Sequence, residues 1–410
     1  MLQYGWIFAI KWIEDHRMLL VYKNIHKESP RCSEKFKKKR KRVCCFCEKW
    51  ASGGIESFIC NVLTRIDLEQ LQVDIVSSSI EKSIFTPILQ EKGIRFFELS
   101  GNSKRSRNNH HYLRKLMEEH NYDVFHLNAF QGLSLSYLNI AQQTGVPIRI
   151  AHSHNTSLRR SLTKPIKMML HTRAKKIYTS AATELWACSH NAAEFLFERQ
   201  VLAHEGFNFI PNGIDTQRFR FNVEMREKMR KELGLGEAFV IGNVGRLCYQ
   251  KNQIFLLDVF AKLLKSNPKG RLLLVGDGED RRYLEEKAHR LDIFDKVIFF
   301  GLSEHIEHLL WAMDVFVLPS HFEGLPVVGV EAQASGLPCV FSDTVARECE
   351  LINSTKFLSL SSSHSIWSKV ILHARAQTNR IEASDIVKAV GFDIGTIAKQ
   401  IESSYLGIRC

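Results

Sequence analysis

Pro319-Ser320-His321-Phe322-Glu323-Gly324-Leu325-Pro326-Val327-Val328-Gly329-Val330-Glu331-Ala332 is the stretch that decides the fold. The apolar run before it, Asp314 to Leu318, has the length and composition of a buried parallel strand. A turn follows, and the sequence predicts a helix opening at Gly324-Leu325-Pro326, because a first helical position does not need the N–H that proline lacks. The open N–H groups and positive dipole end of such a helix seat an anion such as a phosphate. Glu323 stands just before that helix and Glu331 within it, so the two carboxylates reach different parts of one elongated ligand. An anion seat flanked by carboxylates for sugar hydroxyls is what a nucleotide sugar requires. Taken alone, Glu-x7-Glu is matched about as well by a surface glutamate followed by an unrelated helical one.

Working outward, 410 residues exceed what one hydrophobic core usually holds, so two domains are expected. The formal net charge is +12, and residues 1–50 hold 13 Lys/Arg against 5 Asp/Glu. Charge so concentrated at one end argues against a nucleic-acid-binding face over the whole chain and fits a basic arm beside an anionic surface. The 10 cysteines form no spaced disulfide framework, which points to a reducing, cytoplasmic setting. Cys44-Cys45-Phe46-Cys47 contains a C-x-x-C spacing, but no second pair or histidine cluster accompanies it, and a buried first strand accounts for it better. No stretch reaches the roughly 18 apolar residues of a membrane span, and Leu2 to Ile10 makes a poor signal peptide.

From Val43 onward, short apolar runs alternate with helical segments: strands at 43–47, 72–77, 94–98, 123–127, 148–152 and 184–188, with helices between them. That alternation specifies a parallel sheet covered on both faces, a doubly wound α/β domain. Ligands of such sheets bind beyond the carboxyl ends of the strands. Three features stand there. Ser52-Gly53-Gly54-Ile55-Glu56 opens the first helix, where glycine admits close backbone approach; it lacks the G-x-G-x-x-G spacing of a dinucleotide site. His126 and Asn128 end the fourth strand. Ile150-Ala151-His152-Ser153-His154-Asn155 ends the fifth, where two histidines on one face suit a metal pair, a structural hydrogen bond or a polar ligand contact. Arg159, Arg160, Lys164, Lys167, Arg173, Lys175 and Lys176, interleaved with Leu158, Leu162, Met168, Met169 and Leu170, form an amphipathic basic surface. Such a surface suits either plain solvation or anionic lipid, where each basic side chain is worth about 1 kcal/mol.

Phe209-Ile210-Pro211-Asn212-Gly213-Ile214-Asp215 breaks any regular element and reads as a hinge. A second alternation begins at Phe239 to Arg246. Arg246 and Lys251 flank its first strand-to-helix turn, where a planar guanidinium and a point charge can converge on one diphosphate or stay solvated. Gly276-Asp277-Gly278 and Phe299-Phe300-Gly301-Leu302 end the next two strands.

Pro-Ser…Glu-Gly-Leu-Pro…Glu, Gly-Arg followed by Lys-Asn, Gly-Gly-x-Glu, His-Ser-His-Asn and Pro-Asn-Gly-Ile-Asp occur here in the order in which they resemble the family 4 retaining glycosyltransferases, over about residues 42–405. The resemblance implies the GT-B fold, two Rossmann-like doubly wound domains facing a cleft. On that pattern residues 1–41 are a basic extension and 42–208 an acceptor-side domain. Residues 209–216 are the hinge, 217–390 a nucleotide-sugar-binding domain, and 391–410 a helix crossing back to the first. It further implies that Arg246 and Lys251 bind the donor diphosphate with the helix start at Gly324, Leu325 and Pro326. Glu323 would contact the donor sugar and Glu331 the ribose, while Gly53, Gly54 and Gly245 approach the donor and Gly301 and Leu302 hold the base. His154 would contact donor sugar or acceptor. Many relatives carry histidine where Asn128 stands.

The expected activity is transfer of a hexose-type sugar, with retention, from a nucleoside diphosphate sugar to a saccharide or lipid-linked saccharide hydroxyl in cell-surface polysaccharide synthesis. No metal and no cofactor are expected, since fixed cations take the metal's place, and no nucleic-acid partner. The expected place is the cytoplasm, at the inner membrane face. A sugar-nucleotide epimerase on the same fold, and a sugar-nucleotide-binding protein without catalysis, are the alternatives.

Overall fold

The computed structural model describes residues 40–100, 102, 106–156, 158, 164–202, 207–323, 325–374 and 379–408. Most of the basic extension, together with Arg159, Arg160, Leu162 and Gly324, lies outside the described residues. The strands fall into two parallel sheets. The first has the order β3-β2-β1-β4-β5-β6-β7, from β1 (Lys41–Trp50), β2 (Leu71–Ile80), β3 (Arg95–Glu98), β4 (Val124–Ala129), β5 (Ile148–Ser153), β6 (Glu184–Ala187) and β7 (Phe207–Phe209). The second has the order β10-β9-β8-β11-β12-β13, from β8 (Val240–Val244), β9 (Arg271–Val275), β10 (Val297–Gly301), β11 (Val315–Leu318), β12 (Cys339–Ser342) and β13 (Thr355–Leu358).

Helices cover both faces. In the first lobe these are α1 (Gly54–Leu63), α2 (Phe85–Glu91), α3 (Ser106–His120), α4 (Ser136–Gln143), α5 (Lys164–Tyr178), α6 (His190–Leu196) and α7 (Arg199–Leu202). In the second they are α8 (Thr216–Phe219), α9 (Val223–Glu232), α10 (Gln253–Leu264), α11 (Arg281–Arg290), α12 (Ile306–Ala312), α13 (Val327–Ala334), α14 (His364–His373) and α15 (Ala383–Val387), before the returning α16 (Ile394–Leu406).

β1 shows why the chain folds this way. Val43 to Cys47 are all buried, as a central parallel strand requires. The period of two sends Cys45 and Cys47 into the core under α1 and α16, and Cys44 and Phe46 into the core under α3 and α4. The two cysteines of the C-x-x-C spacing therefore face opposite ways and cannot share a metal. Burial pushes the Cys45 thiol up to about 12.

Two strands escape the sequence pattern. β7 is only three residues long, too short to display a period, and it takes Phe209 out of the predicted hinge. β13 is an edge strand whose Lys356 is exposed, which breaks the apolar run that marks a buried strand.

The chain crosses between lobes twice, and the crossings are joined. Ile214 N–H donates to the Phe392 carbonyl at 2.9 Å, and Ile394 N–H to the Ile214 carbonyl at 2.8 Å. Asp393 accepts from Thr216 Oγ1 at 2.7 Å and caps α16. From that cap α16 lays Ile394, Ile397, Ala398, Ile401 and Tyr405 into the first lobe's core. Gly213 is needed for this contact: a Cβ there would lie 2.4 Å from Ile397 Cδ1 and 3.0 Å from the Phe392 carbonyl. Among the described residues no helix is long and apolar enough to cross a membrane.

Gly213→Ala must push α16 off the first crossing. The expected cost is about 1–3 kcal/mol, that of overpacking, read as a lowered thermal midpoint; an unchanged midpoint would mean the two crossings are not tightly packed.

Candidate functional site

Each sheet has one point where the strand order reverses, between β1 and β4 in the first lobe and between β8 and β11 in the second. Ligands of doubly wound sheets bind in the crevice outside the strand ends at that point. In the second lobe the crevice walls are the turn after β8 and the turn after β11.

These walls are tied together by one buried ion pair. Lys251 Nζ lies 2.6 Å from Glu323 Oε1, with side chains 16% and 8% exposed. Ser320 Oγ donates to the same oxygen at 2.9 Å, and Gln250 Nε2 reaches the other at 3.4 Å. His321 N–H donates to the Gln250 carbonyl at 2.8 Å, and Asn252 Nδ2 to the Pro319 carbonyl at 3.0 Å. The lysine stem runs across Gly245, where a Cβ would stand 3.1 Å from Lys251 Cε. Gly276 makes the floor. Its φ is +131, and a Cβ on it would meet the Gly245 carbonyl oxygen at 2.1 Å.

Arg246 is placed differently from Lys251. It is well exposed and pairs with Glu279, Nε to Oε2 at 3.0 Å. The two cations flank the turn as the sequence indicates, but each is held by its own carboxylate. Arg246 lines a cavity of about 440 Å³ with Gly245, Gly276, Asp277, Leu302 and Ile306. Gly301, at φ +84, accepts from Gly276 N–H at 2.8 Å. It leaves Leu302, 80% exposed, at the cavity lip.

Pro326 corrects the sequence reading. It is extended (φ −73, ψ 114) and caps α13, whose first residue is Val327. The Pro326 carbonyl accepts from Gly329 and Val330 N–H, so proline serves as the last residue outside the helix. Leu325 is buried in the second lobe's core. Glu331 lies within α13, partly exposed. Burial among protein atoms raises its pKa to about 7, Arg218 pulling it down and Glu307 pushing it up. Arg218 holds Glu307 at 2.8 Å, a pair that no sequence motif announced. Among the described residues His305, Glu307 and His308 are the one group spaced to hold a cation, yet one Glu307 oxygen already serves Arg218.

In the first lobe Gly53 caps α1 and Gly54 opens it; Glu56 accepts from Ala51 N–H at 3.2 Å and so closes that turn. His154 meets the Asn128 carboxamide oxygen at 2.9 Å. His152 is sealed behind it, against His126, which in turn meets Tyr405 Oη of α16 at 2.6 Å. Burial holds His126 and His154 down to about 3 and His152 well below its ordinary value, so all three are neutral. The structure thus unites Lys251, Glu323 and Gly245 in one crevice and puts Gly53, Gly54 and His154 at the carboxyl edge of the other sheet. Ser320 and Gln250, which hold Glu323, were not singled out by the sequence; the Pro-Ser preceding the glutamate was the available signal.

Residues 52–218 match the model of Glycosyltransferase Family 4 and residues 225–372 that of Glycosyl transferases group 1. EpsF of Bacillus subtilis, a glycosyltransferase by assignment, is 30% identical over 83% of this chain and 90% of its own. The Escherichia coli enzyme named UDP-Gal:alpha-D-GlcNAc-diphosphoundecaprenol alpha-1,3-galactosyltransferase is 29% identical over 59% of this chain and 63% of its own. The crystal structure of Anabaena HepE in complex with UDP superposes over 90% of this chain and all of its own, with TM-score 0.72 and 20% identity. The fold of HepE is therefore the fold of this chain.

Glu331 gives a pH signature. A carboxyl whose folded-state pKa stands above its unfolded value contributes stability below about pH 4.5 and loses that contribution as pH rises through about 7. Glu331→Gln should therefore melt higher than the parent near pH 8, by at least about 2 °C, and equally near pH 4. Scanning calorimetry at the two pH values checks this; an equal melt at both would mean the carboxyl is not raised.

Proposed function

This chain belongs to the family 4 glycosyltransferases of the GT-B fold, and from that premise we propose how its own residues carry the transfer. The donor is a nucleoside diphosphate sugar and the acceptor a hydroxyl of a saccharide or lipid-linked saccharide, with the anomeric configuration retained. The observation that carries the reading is the Lys251–Glu323 pair across the β8–β11 crevice. Each partner has a group to serve when the donor enters: the ammonium takes the diphosphate, and the freed carboxylate takes a sugar hydroxyl.

Breaking the sugar–phosphate bond builds negative charge on the diphosphate and positive charge on the ring. Lys251 stabilises the leaving group directly. Arg246, turning from exposed Glu279, adds a planar two-pronged contact. The N-terminal turn of α13, with Leu325 and Pro326 ahead of it, adds a dipole. Glu331 accepts from the ribose, and its raised pKa couples nucleotide binding to pH. Gly301 and Leu302 border the base, and Gly53, Gly54 and neutral His154 face donor sugar and acceptor from the other lobe. The chemistry so assigned uses fixed cations and no metal. UDP in complex with HepE and UDP-Gal in the name of the E. coli relative support uridine donors as the first to test.

α5 supports contact with the membrane face at which lipid-linked acceptors reside. Ile166, Met169, Leu170 and Ile177 are exposed on one side of it, at helical spacings of three, four and seven. Lys167, Arg173 and Lys176 stand on the same helix. Apolar side chains entering the headgroup region and basic ones meeting anionic lipid are the two halves of interfacial binding.

Lys251→Ala and Arg246→Ala should each lower kcat by about 10²–10³, the worth of one charge-stabilising donor, in an assay of UDP release from UDP-sugars with a polyprenyl-diphosphate-linked saccharide. Release that is fast without acceptor would instead favour epimerase or hydrolase chemistry, and full activity in both variants would remove the site assigned here. Met169→Asp with Ile177→Asp should abolish co-sedimentation with phosphatidylglycerol vesicles, and retained co-sedimentation would take α5 out of membrane contact.

A further inference from the structure

The first lobe has a switch crevice of its own, and one carboxylate in it has no part in the chemistry above. β1 runs on through Phe46-Cys47-Glu48 to Trp50, and β4 ends before the turn Gly132–Leu135. Ser134 Oγ donates to Glu48 Oε1 at 2.6 Å. One hydrogen bond therefore spans the β1–β4 reversal, as Lys251–Glu323 spans the β8–β11 reversal.

The strand period places Glu48 on the side of Cys44 and Phe46, under α3 and α4. Deeper on this side Phe46, Val76, Phe125 and Leu127 pack together, and the one carboxylate among them, Asp74, is already bonded to Arg95 and Tyr122. At the level of Glu48 it turns polar. The register Cys47↔Ser77 and Lys49↔Ser79 sets Ser78 beside Glu48, and Ser78 and Asn109 approach the Tyr137 hydroxyl. Ser78, Ser134 and Tyr137 are themselves buried, so Glu48, which is partly exposed, is the member of this polar set that a ligand hydroxyl can reach.

Charge decides which substrate it meets. Neighbouring Lys49 is committed to Glu81 at 2.7 Å. Among the described residues no cation pairs with Glu48, and its Oε2 has no hydrogen-bond partner. An uncompensated carboxylate repels a diphosphate and suits an uncharged polyol. Burial raises the Glu48 pKa, with the Ser134 hydrogen bond opposing it.

We propose that Glu48 is an acceptor-binding residue, its carboxylate accepting a hydrogen bond from a hydroxyl of the saccharide acceptor seated in the β1–β4 crevice beside Ser134. This rests on the transfer reading above. It adds a named acceptor contact on the opposite face of the sheet from His154.

The test is steady-state kinetics of Glu48→Gln, Glu48→Ala and Ser134→Ala. The substrates are the UDP-sugar and polyprenyl-diphosphate-linked monosaccharide that wild-type protein turns over in a screen, with UDP binding measured by calorimetry. In both Glu48 variants the acceptor KM should rise roughly tenfold to a hundredfold, the worth of a hydrogen bond to a charged group. Donor KM, UDP affinity and the slow release of UDP without acceptor should stay unchanged, and Ser134→Ala should show a smaller rise in acceptor KM alone. An acceptor KM within twofold of wild type in both Glu48 variants overturns the proposal. So does a loss of UDP affinity parallel to a loss of melting temperature, which marks a structural carboxylate. A wild-type protein that turns over no pair overturns the transfer reading itself, and this proposal with it.

Discussion

A lysine and a glutamate, their side chains mostly buried, face each other across the end of a parallel sheet and constrain the crevice of the second lobe. Either charge alone would be costly there: removing one partner of a buried pair typically costs about 3–5 kcal/mol, because the other is left uncompensated. Paired, Lys251 and Glu323 are satisfied before any ligand arrives, and Ser320 and Gln250 hold the carboxylate in place. A ligand that offers an anion to the lysine and hydroxyls to the glutamate can separate the pair without stranding either. A sugar joined to phosphate meets that requirement.

The fold creates the requirement. Parallel strands bring all their carboxyl ends to one edge, and the reversal of strand order opens a crevice there. The floor of that crevice can be backbone only because Gly276 leaves room for the Gly245 carbonyl. The first lobe has the same topology and, among the described residues, puts neutral groups and one carboxylate without a cation partner at its edge, where the second puts cations. On the reading proposed here the asymmetry divides the labour: anion binding on one side, polyol binding on the other. Linkage between the lobes is specific too. Ile214 bonds to both Phe392 and Ile394, and α16 is anchored by a phenol-to-histidine bond that ends one residue pair away from His154.

Much of this was legible in the chain. Alternating apolar runs and helical segments gave both sheets, because strands buried on both faces must be apolar throughout. Lys251, Glu323 and Glu331 were legible because turn and helix-start residues surround them in sequence. What escaped was whatever depends on partners far apart. Ser134 and Glu48 are 86 residues apart, Arg218 and Glu307 are 89 apart, and neither pair has a local pattern. Pro326 was misread by one position, since φ near −73 suits a cap as well as a first turn and only ψ, at 114, tells them apart. Arg246 was expected beside Lys251. Nothing local in the sequence tells that Glu279, at the start of the next helical segment, would hold it.

The most direct test of the central claim is the affinity for UDP, which carries the diphosphate but no sugar, of Lys251→Ala and Glu323→Gln measured side by side by calorimetry. If the pair is a latch opened by the diphosphate, losing the lysine weakens UDP by tenfold or more, about 1.4 kcal/mol. Losing the glutamate charge then leaves UDP binding equal or tighter, because the lysine no longer has to be drawn away. Equal losses in both variants would contradict the account, since they would make the pair a structural brace on which the nucleotide site depends only indirectly.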